Sequence, residues 1–87
     1  MKKRSSPDII ATILDAANGA IGKTRLLTKA NLTSTQLKKY MDFLLEKEFL
    51  AKCEDQSSRH SAYQTTGLGL KYLALYNSIK SVVYINA

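Results

Sequence analysis

The chain has 87 residues, 45% hydrophobic and 23% charged, with a formal net charge of +6 and a pI of about 9.6. That length sets one domain with a modest core, and the balance of apolar and charged residues excludes a disordered chain. A single cysteine, Cys53, excludes an internal disulfide framework, and no stretch approaches the ~18 apolar residues of a membrane span.

Residues 1–5 read as a flexible basic arm carrying Lys2, Lys3 and Arg4. The residues that follow are Ser-Pro-Asp, not an apolar run, so a secretory signal is not expected. A first helix is predicted over 7–17. Ser6 is a natural N-cap, Pro7 suits the first helical position and Asp8 complements the positive helix end. Ile9, Ile10, Ile13, Leu14 and Ala17 recur at helical spacing, and Asn18-Gly19 tolerate the positive φ of a helix stop.

Ala20-Ile21-Gly22 reads as a link to a short second helix over 23–30, with Leu26, Leu27 and Ala30 inward. Asn31-Leu32 breaks that helix. Thr33 and Gln36 then form the capping-box pattern of a third helix over 34–47, whose buried stripe is Leu37, Tyr40, Met41, Leu44 and Leu45. Two strands, over 49–53 and 61–65, flank the polar turn EDQSSRH. Thr66 caps a last helix, whose first turn is weakened by Gly67 and Gly69. The closing VVYINA fits either a frayed helix end or an extended tail.

Helix, helix, helix, strand, strand, helix defines an α+β, mainly helical fold: a winged helix-turn-helix. The winged domain is expected over 6–66. The helix over 67–87 is expected to close the core and to dimerise.

Charge placement says more than net charge. The acids are Asp8, Asp15, Asp42, Glu46, Glu48, Glu54 and Asp55. None lies between Ala16 and Met41, where Lys23, Arg25, Lys29, Lys38 and Lys39 fall, and none follows Asp55, where Arg59, Lys71 and Lys80 fall. Segregated basic charge is the footprint expected for a polyanionic partner.

The third helix of such a fold enters the major groove by its N-terminal residues. Its outward positions are Thr35, Lys38, Lys39, Asp42 and Glu46, basic in the first half and acidic in the second, which favours end-on insertion. Ser34, Thr35 and Gln36 are expected at base edges or phosphates, Gln36 being suited to adenine, and Lys38 and Lys39 at phosphate or guanine. Lys23, Thr24 and Arg25 open the second helix, where side chains and backbone N–H groups hold phosphate. Arg59, with Ser57, Ser58 and His60, is the expected wing contact.

Each assignment has a plainer alternative. Thr33 and Gln36 serve as caps whatever the function, and Lys38 and Lys39 also fit a solvated face. His60 lacks partners for a metal, Cys53 packs as a small apolar residue, and Tyr40 fits the core better than a stacking role. Phe43, at the flank of the polar face, either packs under the wing or meets a partner. No cofactor is implied and no catalytic constellation can be assembled, so an enzyme is not expected.

In the last helix Leu68, Tyr72, Leu75, Ile79 and Val82 are spaced four, three, four, three. That is a seam two heptads long, while Leu70 and Leu73 lie on another face. A domain this small cannot surround a helix on every side, so a homodimer paired through this helix is expected.

These residues carry a resemblance. Lys23-Thr24-Arg25, Ala30-Asn31-Leu32-Thr33, Tyr40-Met41, Leu44 and Phe49-Leu50 stand where a family of small, basic archaeal winged-helix DNA-binding proteins has its motif. Thr66 and Gly69 match that family's last-helix opening. The similarity spans residues 9–73. It implies dimeric double-stranded DNA binding, as a transcriptional regulator or as a chromatin-like architectural protein, in the cytoplasm and associated with the nucleoid. The last helix here is shorter and more apolar than the family's charged coiled coil, and Thr65 stands where the family has leucine. A winged-helix module that binds protein instead of DNA is the remaining alternative.

Overall fold

The computed structural model describes residues 5–54 and 61–84. Lys2, Lys3 and Arg4, the hairpin tip with Ser57, Ser58, Arg59 and His60, and the last three residues lie outside the described residues.

The first helix, α1 (Ser6–Ala16), starts one residue earlier than the sequence predicts. Ser5 is the N-cap, not Ser6. The Asp8 backbone N–H donates to the Ser5 hydroxyl at 3.2 Å, and the Ser5 N–H donates to the Asp8 carboxylate at 3.3 Å. Only from the third helical position does a side chain reach back in this way, so Asp8 selects the serine three residues before it. Gly19 (φ 113°) and Ala20 (φ 64°) then turn the chain out of the helix.

The expected link contains a strand, β1 (Ile21–Gly22), which corrects the predicted element order. Two residues are too few to show strand alternation in a sequence. The helix α2 (Lys23–Ala30) follows and ends at Asn31, which takes the left-handed conformation with φ 54°. The next helix, α3 (Ser34–Glu46), opens on the expected capping box: the Gln36 N–H donates to the Thr33 hydroxyl at 3.2 Å, and the Thr33 N–H donates to the Gln36 side-chain oxygen at 3.0 Å. Lys47 caps this helix rather than continuing it. Strands β2 (Leu50–Glu54) and β3 (Ser61–Thr65) form the wing, and α4 (Gly67–Tyr84) completes the chain. The sheet is antiparallel in the order β1-β3-β2, with Ile21 opposite Tyr63 and Lys52 on the other side of Tyr63. The start of VVYINA is therefore helical as far as Tyr84.

Ile13, Leu14, Leu26, Leu37, Leu44 and Leu50 are fully buried and come from α1, α2, α3 and β2. Two consecutive threonines fasten this core together. The Thr65 hydroxyl, itself buried, donates to the Leu14 carbonyl at 2.5 Å, and the Thr65 N–H donates to the Ala17 carbonyl at 3.0 Å. The carbonyls in the last turn of a helix lack intrahelical donors. The Asn18 N–H, which would serve Leu14 in a longer helix, goes to Asp15 instead. Thr65 thus caps α1 from the end of β3. Thr66 ties the other side: its hydroxyl donates to the Glu48 carbonyl at 2.7 Å and accepts the Gly69 N–H at 3.0 Å, and its N–H donates to the Phe49 carbonyl at 3.0 Å.

Gly69 weakens the first turn of α4 in isolation, but packing requires it. A Cβ there would lie well inside van der Waals contact of the Phe49 carbonyl oxygen and the Thr65 methyl group. The same helix inserts Leu73 into the core, and its Tyr76 hydroxyl donates to the Asp8 carboxylate. That hydroxyl, followed by the hydrogen bonds from Ser5, holds the Asp8 carboxyl below its ordinary 3.8. Burial pushes the Tyr72 phenol up, and the Asp8 charge adds to the effect. No helix among the described residues is long and apolar enough to cross a membrane.

Three outcomes follow from these contacts. Gly69→Ala gains up to ~1 kcal/mol of helix propensity but meets rigid backbone, and overpacking of this kind costs ~1–3 kcal/mol. Net destabilisation in a urea titration is expected. Thr65→Val keeps the shape but leaves the Leu14 carbonyl without its donor, for a loss of ~1–3 kcal/mol in the same titration. A carboxyl whose folded pKa is lowered stabilises the fold above its unfolded pKa, and that contribution disappears as pH falls through the folded value. The difference in Tm between the native protein and Asp8→Asn should therefore be constant above about pH 5 and shrink in the acid range below 3.8.

Candidate nucleic-acid interface

The helix pair α2–α3 presents two helix N-termini with different chemistry. The N-cap of α2 is Gly22, which has no side chain to offer, so no side-chain bond caps that end. Lys23, Thr24 and Arg25 form its first turn and are exposed. Backbone donors without a side-chain cap, flanked by two cations, make an end of positive potential. At the other N-terminus the capping box uses the Thr33 hydroxyl and the Gln36 oxygen, which also accepts from the Thr33 hydroxyl at 3.3 Å. Gln36 is exposed, but only its amide nitrogen remains for another partner. A bidentate reading of adenine would require the box to open.

Ser34, Thr35, Lys38 and Lys39 are all exposed in the first half of α3, with Asp42 and Glu46 exposed in the second half. The basic-then-acidic order of this face is thus a property of the surface. Burial of Leu37, Met41 and Leu44 on the opposite side fixes which way the polar face points.

Tyr40 does more than the sequence indicates. It is half-buried, shares a hydrogen bond with the Ser6 hydroxyl at 3.2 Å, and carries the Lys39 ammonium 5.9 Å from its ring centroid. No local sequence signal announces a contact between residues thirty-four apart in the chain. Lys52 is a second residue that sequence reasoning misses. It is exposed on β2, an edge strand of the wing, and it is a basic side chain of the hairpin inside the described residues. Period-two alternation predicts one outward position per pair, but Ala51 and Lys52 are both exposed. The expected wing contact, Arg59, lies outside the described residues.

Along α4, exposure climbs away from the domain: Leu68 is 48% exposed, Leu75 56%, Ile79 64% and Val82 71%. Tyr72, placed in the same seam by its spacing, is half-buried instead. Its ring lies 5.6 Å from that of Phe49 and 6.4 Å from that of Tyr76, so it belongs largely to its own domain. Phe43 is 41% exposed on α3. Among the described residues no group of His, Cys, Asp and Glu side chains is arranged to hold a metal ion.

A domain of this kind, three helices with a hairpin wing and a trailing helix, is a winged helix-turn-helix. The sequence model of the winged helix-turn-helix family matches residues 3–83, and the chain belongs to that family. Sso10a-2, a DNA-binding protein from Sulfolobus solfataricus, has a similar structure, with a TM-score of 0.80 at 20% identity over 91% of this chain and 81% of that one. BpsR of Bordetella bronchiseptica, whose DNA binding is regulated by 6-hydroxynicotinic acid, is similar with a TM-score of 0.73 at 12% identity, over 97% of this chain and 64% of that one. The adhesin competence repressor AdcR of Streptococcus pyogenes is similar with a TM-score of 0.71 at 15% identity, over 93% and 60%. The chain thus spans less than two thirds of the latter two proteins. No curated protein matches the chain in sequence.

If the Thr33–Gln36 box sets where α3 begins, Thr33→Ala should cost ~1 kcal/mol in chemical denaturation, whereas Thr35→Ala, outside the box, should change stability by less than ~0.5 kcal/mol.

Proposed function

We propose that the protein binds double-stranded DNA as a homodimer and acts as a transcriptional regulator, with α3 in the major groove and the β2–β3 wing against the backbone or minor groove. The observation that carries this reading is the acid-free, exposed N-terminal half of α3, Ser34, Thr35, Lys38 and Lys39, together with the exposed Lys23, Thr24 and Arg25 at an end of α2 that has no side-chain cap. Ser34 and Thr35 are short donors and acceptors suited to base edges or phosphates, and Gln36 offers its amide nitrogen. Lys38 and Lys39 supply charge for phosphate or guanine. Lys23, Thr24 and Arg25, with the α2 backbone amides, hold the phosphate backbone and set the register. Arg59 is the proposed contact of the wing, with Lys52 further along it.

Membership of the winged helix-turn-helix family and the likeness in fold to a DNA-binding protein and to DNA-binding regulators support the reading. The net charge of +6 supports it too. For the dimer, the support is the exposed run Leu68, Leu75, Ile79 and Val82 on a helix that outgrows its domain. Tyr72 contributes its outer edge only. An architectural, sequence-blind role shares every one of these contacts and differs in specificity alone.

Duplex binding should weaken steeply with salt, and Lys38→Ala with Lys39→Ala should lower the slope of log K against log salt by ~0.9 for each phosphate that is no longer neutralised. Affinity that ignores both salt and the double substitution would remove α3 from the interface. Competition against random duplex separates the two roles, since a regulator prefers its site by ~10³-fold or more. Light scattering should report a dimer, and Leu75→Glu with Ile79→Glu should yield a folded monomer with weaker duplex binding. A native monomer without duplex affinity would instead favour a protein-binding module.

A further inference from the structure

The two lysines of the reading helix are not equivalent. Lys39 lies with its ammonium 5.9 Å from the centroid of the Tyr40 ring, whereas no ring lies against Lys38 among the described residues. The ring is itself held from two sides. It is half-buried against the core, and its hydroxyl shares a 3.2 Å hydrogen bond with Ser6 in the first turn of α1. That turn is fixed in its own right by the Ser5–Asp8 capping box and by the Tyr76 hydroxyl.

We infer that Tyr40 is a positioning residue for DNA binding: anchored on Ser6, its ring holds the Lys39 ammonium in one sector of the α3 surface. This inference rests on the DNA-binding reading above. A lysine side chain loses much of its rotamer freedom when it is pinned at an interface. A ring face that already confines it removes part of that loss before DNA arrives, which is how preorganisation raises affinity. The ammonium need not leave the ring to act. It has three N–H donors, and those pointing away from the ring stay available to a phosphate oxygen. Tyr40 touches no base or phosphate in this scheme and acts only through Lys39.

Duplex affinity measured by fluorescence anisotropy, for Tyr40→Leu and Tyr40→Phe each with and without Lys39→Ala, tests the inference. A cation–π contact of exposed strength raises the population of the confined lysine, and with it duplex affinity, by at most roughly two- to fivefold. Tyr40→Leu should lower affinity by that factor when Lys39 is present and leave it unchanged in the Lys39→Ala background. Tyr40→Phe keeps the ring and should recover most of the loss. Independently of DNA, the Lys39 ε-methylene protons should show an upfield ring-current shift in NMR spectra of the native protein, retained in Tyr40→Phe and absent in Tyr40→Leu. Equal losses in both backgrounds, or no ring-current shift, would overturn the positioning role while leaving DNA binding intact. A native protein that binds no duplex would overturn the DNA-binding reading and this inference with it.

Discussion

A buried hydroxyl at the end of the wing holds the domain in one arrangement. Thr65 closes the last turn of α1 through the Leu14 and Ala17 carbonyls, and its neighbour Thr66 closes the α3–β2 corner through Glu48 and Phe49. The Leu14 and Ala17 carbonyls sit where α1 ends, and helix ends are where a small fold is poorest in backbone partners. One dipeptide therefore satisfies the exit of α1, braces the corner that follows α3 and starts α4. The wing, α3 and α4 all meet at this point, so their relative orientation is set by hydrogen bonds as well as by apolar contact. Apolar contact is non-directional and tolerates sliding. A carbonyl bonded at 2.5 Å does not.

The polar surface is arranged around that joint in an ordered way. Asp8 performs local duties in a capping box and under Tyr76, while Asp42 and Glu46 sit exposed on the far half of α3. The exposed first turns of α2 and α3 carry hydroxyls, amides and cations. The Gln36 oxygen and the Thr33 hydroxyl are already engaged in starting α3, so this helix draws on part of the polar chemistry at its N-terminus to hold its own start.

Most of this architecture is legible in the sequence because it rests on local rules. The capping box at Thr33, the stop at Asn31, the buried stripe of α3 and the strand over 61–65 each follow from residues within a few positions of one another. The features that are not legible depend on partners far along the chain. Gly69 reads as a weak spot until the Phe49 carbonyl is found against it. Tyr72 reads as part of a seam until Phe49 and Tyr76 draw it inward. Ile21–Gly22 becomes a strand only because β3 offers it an edge. The candidate interface divides the same way: its charge order is written in the chain, but the hold of Tyr40 on Lys39 depends on where α1 begins.

The fixed departure of α4 makes it a phased spacer. Thr66 and Gly69 lock its first turn to the core, and each further residue adds ~1.5 Å of length and about 100° of rotation. Within α4 the chain is free to change length beyond Tyr76, the last residue of the helix seen to bond to α1, without disturbing the winged domain. A single inserted residue there would swing Ile79 and Val82 a quarter-turn around the axis, and a heptad would restore them nearly in line but farther out. In the proposed dimer, the reach and facing of the joint can thus drift by insertion and deletion while α3 stays unchanged, two properties that a more compact joint would force to vary together.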